Sequence, residues 1–195
     1  GFQPTELKPD RYGVTFHEDR AEFSRTDGDL TTSMTVLVSA EDDAEVRRVS
    51  VFNSGTKVRE IEVTSYAELV LAPVAADTAH PAFSKLFVET ERLESSGAVL
   101  AWRRRRDPHD AEVWAAHLTV VDDGTVGLTE FETDRAQFLG RDGSLRAPRA
   151  IVAGRPLSGA SGPVLDPVFA LRVRLRIAPG ATVNVAFWTM VASSR

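Results

Sequence analysis

The chain has 195 residues, of which 26% are charged and 43% hydrophobic, and it contains no cysteine. This length suits one domain with its own core, and the composition excludes the collagenous, disordered and disulfide-built classes. The absence of cysteine excludes thiolate metal sites, cysteine nucleophiles and thiol redox switches. A net charge of −5 argues against a non-specific binder of nucleic acid or of membrane surfaces.

The ends of the chain indicate its context. Residues 1–10 are polar and charged, unlike the basic start and apolar run of a signal peptide. The first residue is Gly rather than Met, and residues 192–195 directly follow a strand-like run. No stretch approaches the ~18 apolar residues of a membrane-spanning helix. We therefore expect residues 1–195 to form one soluble domain, a fragment of a larger multidomain enzyme.

Apolar and polar residues alternate with a period of two through most of the chain, which is the pattern of half-buried β-strands. The clearest case is residues 169–177, where odd positions are apolar and Arg172, Arg174 and Arg176 occupy even positions. This strand should have one buried face and one solvated, arginine-lined face. The pattern predicts strands at residues 12–17, 21–25, 31–38, 46–52, 58–66, 86–91, 98–103, 113–121, 168–177 and 183–187.

Turn residues separate these strands. Residues 26–28 (TDG), 53–55 (NSG) and 179–180 (PG) carry the small residues that tight turns require, and they predict three β-hairpins. Many short strands with such spacing indicate antiparallel sheets packed face to face. The predicted fold class is all-β, with a β-sandwich architecture.

Two stretches interrupt the alternation. Residues 72–85 are rich in alanine and predict a short helical turn. Residues 130–162 are too long for an idle connection, because loops of more than about 15 residues in compact domains are usually functional or disordered. These two stretches are where a function is expected.

Several residue clusters suggest chemistry, and each also has a structural explanation. The run from Arg103 to Arg106 matches the guanidinium forks that bind phosphate, yet Asp107 and Asp110 follow it, which favours a solvated strand end. The four histidines show no metal-ligand spacing, and no nucleophile elbow is present. The sequence therefore predicts no metal site, no cofactor and no active site.

Aromatic side chains are the remaining candidates for ligand contacts. Trp102 and Trp114 stand beside charged residues, so sugar stacking and core packing are equally favoured for them. For Trp188 we favour a core position.

Four blocks in the chain resemble a known family. They are residues 63–68 (VTSYAE), 79–87 (AHPAFSKLF), 132–141 (ETDRAQFLGR) and 166–171 (DPVFAL). Their order resembles the N-terminal sandwich module of the former glycosyltransferase family 36, now glycoside hydrolase family 94, as found in cyclic β-1,2-glucan synthases. The third block is similar also to cellobiose and chitobiose phosphorylases.

The resemblance implies an antiparallel β-supersandwich similar to galactose mutarotase. It also implies that an (α/α)-barrel elsewhere in the parent protein holds the catalytic acid. The chain should then be a non-catalytic module that binds a β-linked glucan or oligosaccharide or supports the barrel, in the cytoplasmic part of an inner-membrane-anchored bacterial protein. Nucleic acid and direct membrane insertion are not expected. The candidate carbohydrate-binding residues are Trp102, Trp114, His80 and Arg135.

Two alternatives stay open. The module can be a packing domain without sugar affinity, or an enzyme similar to aldose mutarotases. An aldose mutarotase needs a histidine acid and a carboxylate base, for which the candidates are His80 or His117 with Glu68 or Glu130.

The loop at residues 130–140 is expected to be an ordered structural element. Asp134 can cap a turn or pair with Arg135, while Phe138 and Leu139 anchor the turn in the core.

Overall fold

The computed structural model describes residues 6–122 and 124–195, so residues 1–5, the start of the polar N-terminus, lie outside the described residues. Strands dominate and the helices are short. None of the described helices is long and apolar enough to cross a membrane. The elements in chain order are β1 (Arg11–Phe16), β2 (Arg20–Asp27), β3 (Leu30–Val38), β4 (Ala44–Asn53), β5 (Arg59–Thr64), β6 (Ala67–Glu68), α1 (Val74–Ala79), α2 (Pro81–Lys85), β7 (Val88–Leu93), β8 (Ala98–Arg103), β9 (Trp114–Val121), β10 (Glu130–Asp134), α3 (Arg135–Leu139), α4 (Arg149–Val152), β11 (Gly162–Pro163), β12 (Pro167–Ile177) and β13 (Thr182–Ala192).

Within the described residues the strands form two antiparallel sheets. The large sheet has nine strands in the order β1-β2-β3-β4-β13-β9-β8-β7-β11. The small sheet has the order β10-β12-β5, and β6 also pairs with β12. The small sheet covers one face of the large sheet, which we call the inner face; the opposite face is the outer face. The predicted strands and the face-to-face sheets are therefore confirmed.

Two of the three predicted hairpins are wrong. The turn at residues 26–28 does join the paired strands β2 and β3. The turns at residues 53–55 and 179–180 instead carry the chain from one sheet to the other, because β4 and β13 belong to the large sheet while β5 and β12 belong to the small sheet. Turn residues predict that the chain reverses, and they do not predict which strand it then pairs with.

Asn53 joins the two crossovers. Its side chain is buried, and Nδ2 donates hydrogen bonds to the carbonyl oxygens of Lys57 (2.8 Å) and Ile177 (3.1 Å). Its Oδ1 accepts from the backbone N of Gly55 at 3.0 Å, and its backbone oxygen accepts from Gly180 N at 2.8 Å. One buried amide therefore fixes both places where the chain changes sheets.

The core lies between the sheets around β12. The odd positions from Phe169 to Ile177 are all fully buried, as the alternation predicts. They pack against inner-face residues of the large sheet such as Val51, Val99 and Val185. This is the dry face expected for residues 169–177.

The other face of β12 differs from its prediction at Arg172. Arg174 is half exposed, but the Arg172 side chain is only 2% exposed. Its guanidinium donates to the carbonyl oxygens of Arg155 and Ala150, each at 2.8 Å, and Glu130 Oε2 lies 3.6 Å away. The segment that contains α4 folds over this half of the strand and supplies these acceptors, which alternation alone does not reveal.

Both irregular stretches are ordered. Residues 72–85 form α1 and α2, and residues 130–162 contain β10, α3, α4 and part of β11. Asp134 is the N-cap of α3, where its Oδ1 accepts from Ala136 N at 2.8 Å. Phe138 and Leu139 are buried. The expectation of an ordered, core-anchored element at residues 130–140 is confirmed, with Asp134 as a cap.

Candidate functional site

Two tryptophans form a stacked pair on the outer face of the large sheet. Trp102 on β8 lies directly opposite Trp114 on β9 in the strand register. Their ring centroids are 5.0 Å apart with an interplanar angle of 23°. Both residues are partly buried, and Trp114 Nε1 donates to Glu112 Oε1 at 2.8 Å. We call these two residues the tryptophan pair.

Charged groups border the tryptophan pair. Glu89 on β7 lies opposite Trp102 and forms an ion pair with Arg104 at 3.0 Å. The Arg195 guanidinium lies 5.9 Å from the Trp114 ring centroid and pairs with Glu91 Oε1 at 2.8 Å. An aromatic surface next to carboxylates and guanidiniums can stack on the apolar face of a pyranose while hydrogen bonding to its hydroxyls.

The prediction for Trp188 is wrong. Val183, Val185 and Phe187 point to the core, so the alternation of β13 places Trp188 on the outer face with 37% exposure. Its register partners are Leu118 on β9 and Val46 on β4. The chain's three tryptophans therefore share the outer face.

The other two candidate residues lie elsewhere. Arg135, at the start of α3 in the layer of the small sheet, donates from Nε to Glu68 Oε1 at 2.9 Å and lies 3.7 Å from Asp166. His80 is an exposed residue between α1 and α2. The structure brings Trp102 and Trp114 together and joins neither His80 nor Arg135 to them through a hydrogen bond, ion pair or ring contact of the described residues.

A cleft that the sequence did not indicate opens between the two sheets. Its volume is about 1010 Å³, and apolar side chains such as Met34, Val49 and Phe187 dominate its lining. We call it the inter-sheet cleft. His117 is among its lining residues and is only 4% exposed. Period-two alternation marks strand residues of the lining such as Met34, Val49 and Phe187 as inward-facing but does not show that a space remains between the layers.

Both ring nitrogens of His117 lie within hydrogen-bonding distance of hydroxyl groups. Nε2 lies 2.8 Å from Ser65 Oγ and Nδ1 lies 3.0 Å from Thr189 Oγ1. The ring stacks on Phe169 with centroids 5.5 Å apart. Burial lowers the pKa of His117 to about 4, so the imidazole is neutral near pH 7.

No hydrogen bond or ion pair of the described residues joins the histidine and carboxylate candidates of the aldose mutarotase alternative. Glu68 Oε1 instead accepts from Arg135 Nε and from the Tyr66 hydroxyl. Glu130 accepts from Leu157 N at 2.9 Å. The Arg135 guanidinium holds the pKa of Glu68 below its ordinary value, which favours an ion-pair partner over a proton acceptor.

The arginine run forms the solvated strand end that we expected, because β8 ends at Arg103 and the next three arginines are exposed. Asp110 Oδ2 accepts from the backbone N of Arg106 (3.0 Å) and of Asp107 (3.1 Å), while Asp107 Oδ1 accepts from His109 N at 2.8 Å. Neither carboxylate forms an ion pair with the run in the part of the chain that the structure describes. Both acids stabilise the turn after β8, and the carboxylate charge of Asp110 also offsets part of the positive charge of Arg103 and Arg106.

Comparison with known proteins adds the family. The family model described as "Glycosyl hydrolase 94, supersandwich domain" matches residues 1–195. The chain belongs to this family. The predicted supersandwich and the resemblance to family 94 are thereby confirmed.

Two curated relatives are much longer than this glycosyl hydrolase 94 supersandwich domain. The cyclic beta-(1,2)-glucan synthase NdvB of Rhizobium meliloti (strain 1021) is 42% identical over 193 residues, which cover 99% of this chain and 7% of that protein. Solabiose phosphorylase of Paenibacillus borealis is 26% identical over 185 residues, covering 94% of this chain and 23% of the phosphorylase. The chain therefore spans a quarter or less of either relative.

A solved structure shares the fold. Heparinase III aligns with a TM-score of 0.54 and 9% sequence identity, covering 97% of this chain and 22% of heparinase III. At this identity the similarity concerns the fold alone.

Proposed function

We propose that this domain is a non-catalytic module that holds a β-linked glucan for the enzyme to which it belongs, and that the tryptophan pair forms the contact surface. The observation that carries the proposal is the stacking of Trp102 on Trp114 within a border of Glu89, Glu91 and Arg195. Rigid aromatic rings supply contact area at low conformational cost, and the charged border supplies hydrogen-bond partners for hydroxyls.

The names of the relatives support the choice of ligand. One is a cyclic beta-(1,2)-glucan synthase and the other a solabiose phosphorylase, and both match this domain over nearly its whole length. The lowered pKa of His117 supports a binding role over acid-base chemistry in this domain, because the ring contacts two hydroxyls and lacks the extra proton of a general acid near pH 7. We place the reaction in the neighbouring (α/α)-barrel that the family resemblance implies.

Titration calorimetry with β-1,2-glucan, sophorose and cellobiose tests the proposal. We expect weak binding, in the millimolar range, that Trp102→Ala and Trp114→Ala each weaken at least tenfold. Phe16→Ala is the matched control, because Phe16 is an exposed aromatic residue far along the same sheet. No heat with any of the sugars, or equal weakening by Phe16→Ala, would overturn the proposal.

A second candidate function is packing against a neighbouring domain. Part of the inner face is uncovered and apolar, with Phe16 77% exposed, Val38 70% and Val14 39%. An apolar surface of this kind usually marks an interface. Co-expression with the (α/α)-barrel tests this role. We expect the barrel to copurify with the domain and Phe16→Asp to abolish the copurification. A barrel that never copurifies would exclude the role.

We also propose that the domain lies on the cytoplasmic side of an inner-membrane-anchored parent protein. Fusing green fluorescent protein or alkaline phosphatase after this domain in the parent chain tests the location. Fluorescence without phosphatase activity is the expected result, and the opposite result would contradict it.

A further inference from the structure

A second, strongly cationic cleft opens beside the end of β8. Its volume is about 530 Å³. The four consecutive arginines from Arg103 to Arg106 line one side, while Leu71, Pro73 and Val113 contribute apolar walls. We call it the arginine cleft. It is separate from the inter-sheet cleft, with which it shares no lining residue.

Two phenylalanine rings lie close to three of the four guanidinium groups. Arg103 and Arg106 each lie 5.3 Å from the ring centroid of Phe87, and Arg104 lies 6.0 Å from it. Arg106 also lies 5.7 Å from Phe83. The rings attract each cation through their quadrupole and so hold several like charges in a small volume.

Few counter-charges face these cations. Among the described residues, Arg104 alone of the four forms an ion pair, with Glu89 at 3.0 Å. Arg103 donates to the backbone oxygen of Ser84 at 2.7 Å, and Arg105 has no hydrogen bond or ion pair in the described part of the chain. Asp110 borders the cleft and offsets part of the charge of Arg103 and Arg106, but it forms no ion pair with them among the described residues, and its Oδ2 accepts from two backbone N–H groups.

The local field therefore favours an added anion. Burial lowers the pKa of Arg103 and the nearby charge of Arg106 lowers it further, and together they outweigh the raising effect of the Asp110 carboxylate. A lowered pKa means that the surroundings disfavour the positive charge, so a negative group between the guanidiniums would relieve an existing repulsion.

The lining of the arginine cleft also contains a backbone outlier. Leu71 has a φ of +46°, in the left-handed region that residues with a Cβ rarely adopt. Such conformations cost energy and concentrate at ligand sites and other functional positions. The outlier lies on the cleft wall itself, which gives a second observation pointing to the same place.

We infer that the arginine cleft binds a phosphoryl group. A phosphate monoester carries a charge near −2 and three acceptor oxygens, which suits several guanidinium forks that lack carboxylate partners. The cleft is larger than one phosphate, and the apolar walls of Leu71, Pro73 and Val113 leave space for the group that the phosphate is attached to.

Calorimetry and thermal shift with sodium phosphate, glucose 1-phosphate, glucose, sodium malonate and sodium chloride test the inference at matched ionic strength. We expect phosphate to bind and to raise the melting temperature, while chloride and glucose do not. Tighter binding of glucose 1-phosphate than of phosphate would identify a sugar monoester as the ligand, and equal binding would identify free phosphate. Malonate binding as tightly as phosphate would overturn the phosphoryl assignment.

Variants locate the site. Arg105→Gln and Arg106→Gln should each weaken phosphate binding at least fivefold. Arg105→Gln should also leave the melting temperature of the unliganded domain nearly unchanged, because its side chain forms no hydrogen bond or ion pair in the described residues, whereas Arg106→Gln loses the ring contacts with Phe83 and Phe87. Arg48→Gln is the matched control, an exposed arginine on the large sheet without an ion pair in the same part of the chain. Equal weakening by Arg48→Gln, or phosphate binding that survives the double variant of Arg105 and Arg106, would overturn the inference. Phosphate binding does not depend on whether the tryptophan pair binds a glucan. The phosphate inference and the glucan proposal can therefore fail independently of each other.

Discussion

Two halves of the inner face of the large sheet have the same sequence pattern and different surroundings. In the middle of β4, β13, β9 and β8 the inward side chains are buried, with Val51 at 1%, Val185 at 1% and Val99 at 0% exposure. On β1 and at the end of β3 the inward side chains are largely bare, with Phe16 at 77% and Val38 at 70%. The first set we call the covered half and the second the uncovered half.

The difference arises from the second layer. The described small sheet has a few strands against nine in the large sheet, and the two crossovers held by Asn53 set β5 and β12 over the covered half. Alternation makes every strand amphipathic, but burial needs a partner surface within contact distance. Stability should therefore come from the covered half, while the uncovered half remains available for a neighbouring domain.

The largest effect is expected for Phe169→Ala in the covered half. Phe169 is fully buried in the middle of the core, and truncating such a ring costs about 3–5 kcal/mol of unfolding free energy. Urea unfolding measures the loss, and a change below about 1 kcal/mol would show that the covered half is not the source of stability.

His117 provides a pH test of the covered half. In the folded state its pKa is about 4, against about 6.5 in an unfolded chain, so the unfolded state binds more protons between these values. The free energy of unfolding should fall by up to about 3 kcal/mol from this residue as the pH decreases from about 6.5 to about 4. His117→Gln should have a flatter pH profile over this range, and an unchanged profile would contradict the buried neutral histidine.

Asn53→Ala tests the crossovers that position the small sheet. The substitution leaves the buried carbonyl oxygens of Lys57 and Ile177 without their side-chain donor, which costs about 1–3 kcal/mol. Thermal unfolding measures this loss of stability. Asn184→Ala is the control, because Asn184 lies on the outer face and bonds Ser50 and the exposed Asp122. A larger effect at Asn184 would argue against Asn53 as the residue that joins the layers.

Asp134→Ala tests the cap of the helix that covers β12. Losing the bond to Ala136 N should lower the unfolding free energy by about 1 kcal/mol, and Asp134→Asn, which keeps an acceptor, should lose less. Arg105→Ala should change it little, because that side chain is exposed. The reverse order in a thermal-shift series would indicate that residues 130–140 form a recognition loop.

The smallest effect is expected for Phe16→Ser in the uncovered half. The ring is 77% exposed, so its loss should change the unfolding free energy by less than about 0.5 kcal/mol. A cost above about 2 kcal/mol would mean that a part of the domain covers this face in solution, and the division into two halves would then be wrong.

Sequence reasoning located the strands, a helical turn within residues 72–85 and the cap at Asp134, because these depend on neighbours along the chain. It also placed Trp102 and Trp114 beside charged residues. It did not bring the two rings together, because their stacking depends on the register between β8 and β9. It did not separate Arg135 from them either, since the layer to which a residue belongs is a property of the topology.

The sequence by itself determined an all-β domain with one apolar face per strand, and its four ordered blocks identified the family. Alternation and turn chemistry act over a few residues, so they are visible without a structure. The tertiary structure decided which turns cross between sheets, that Arg172 is buried, that Trp188 faces outward, and that the carboxylates after the arginine run bind backbone rather than guanidinium groups. Each of these depends on contacts between residues far apart in the chain, or on competition between two partners for one group.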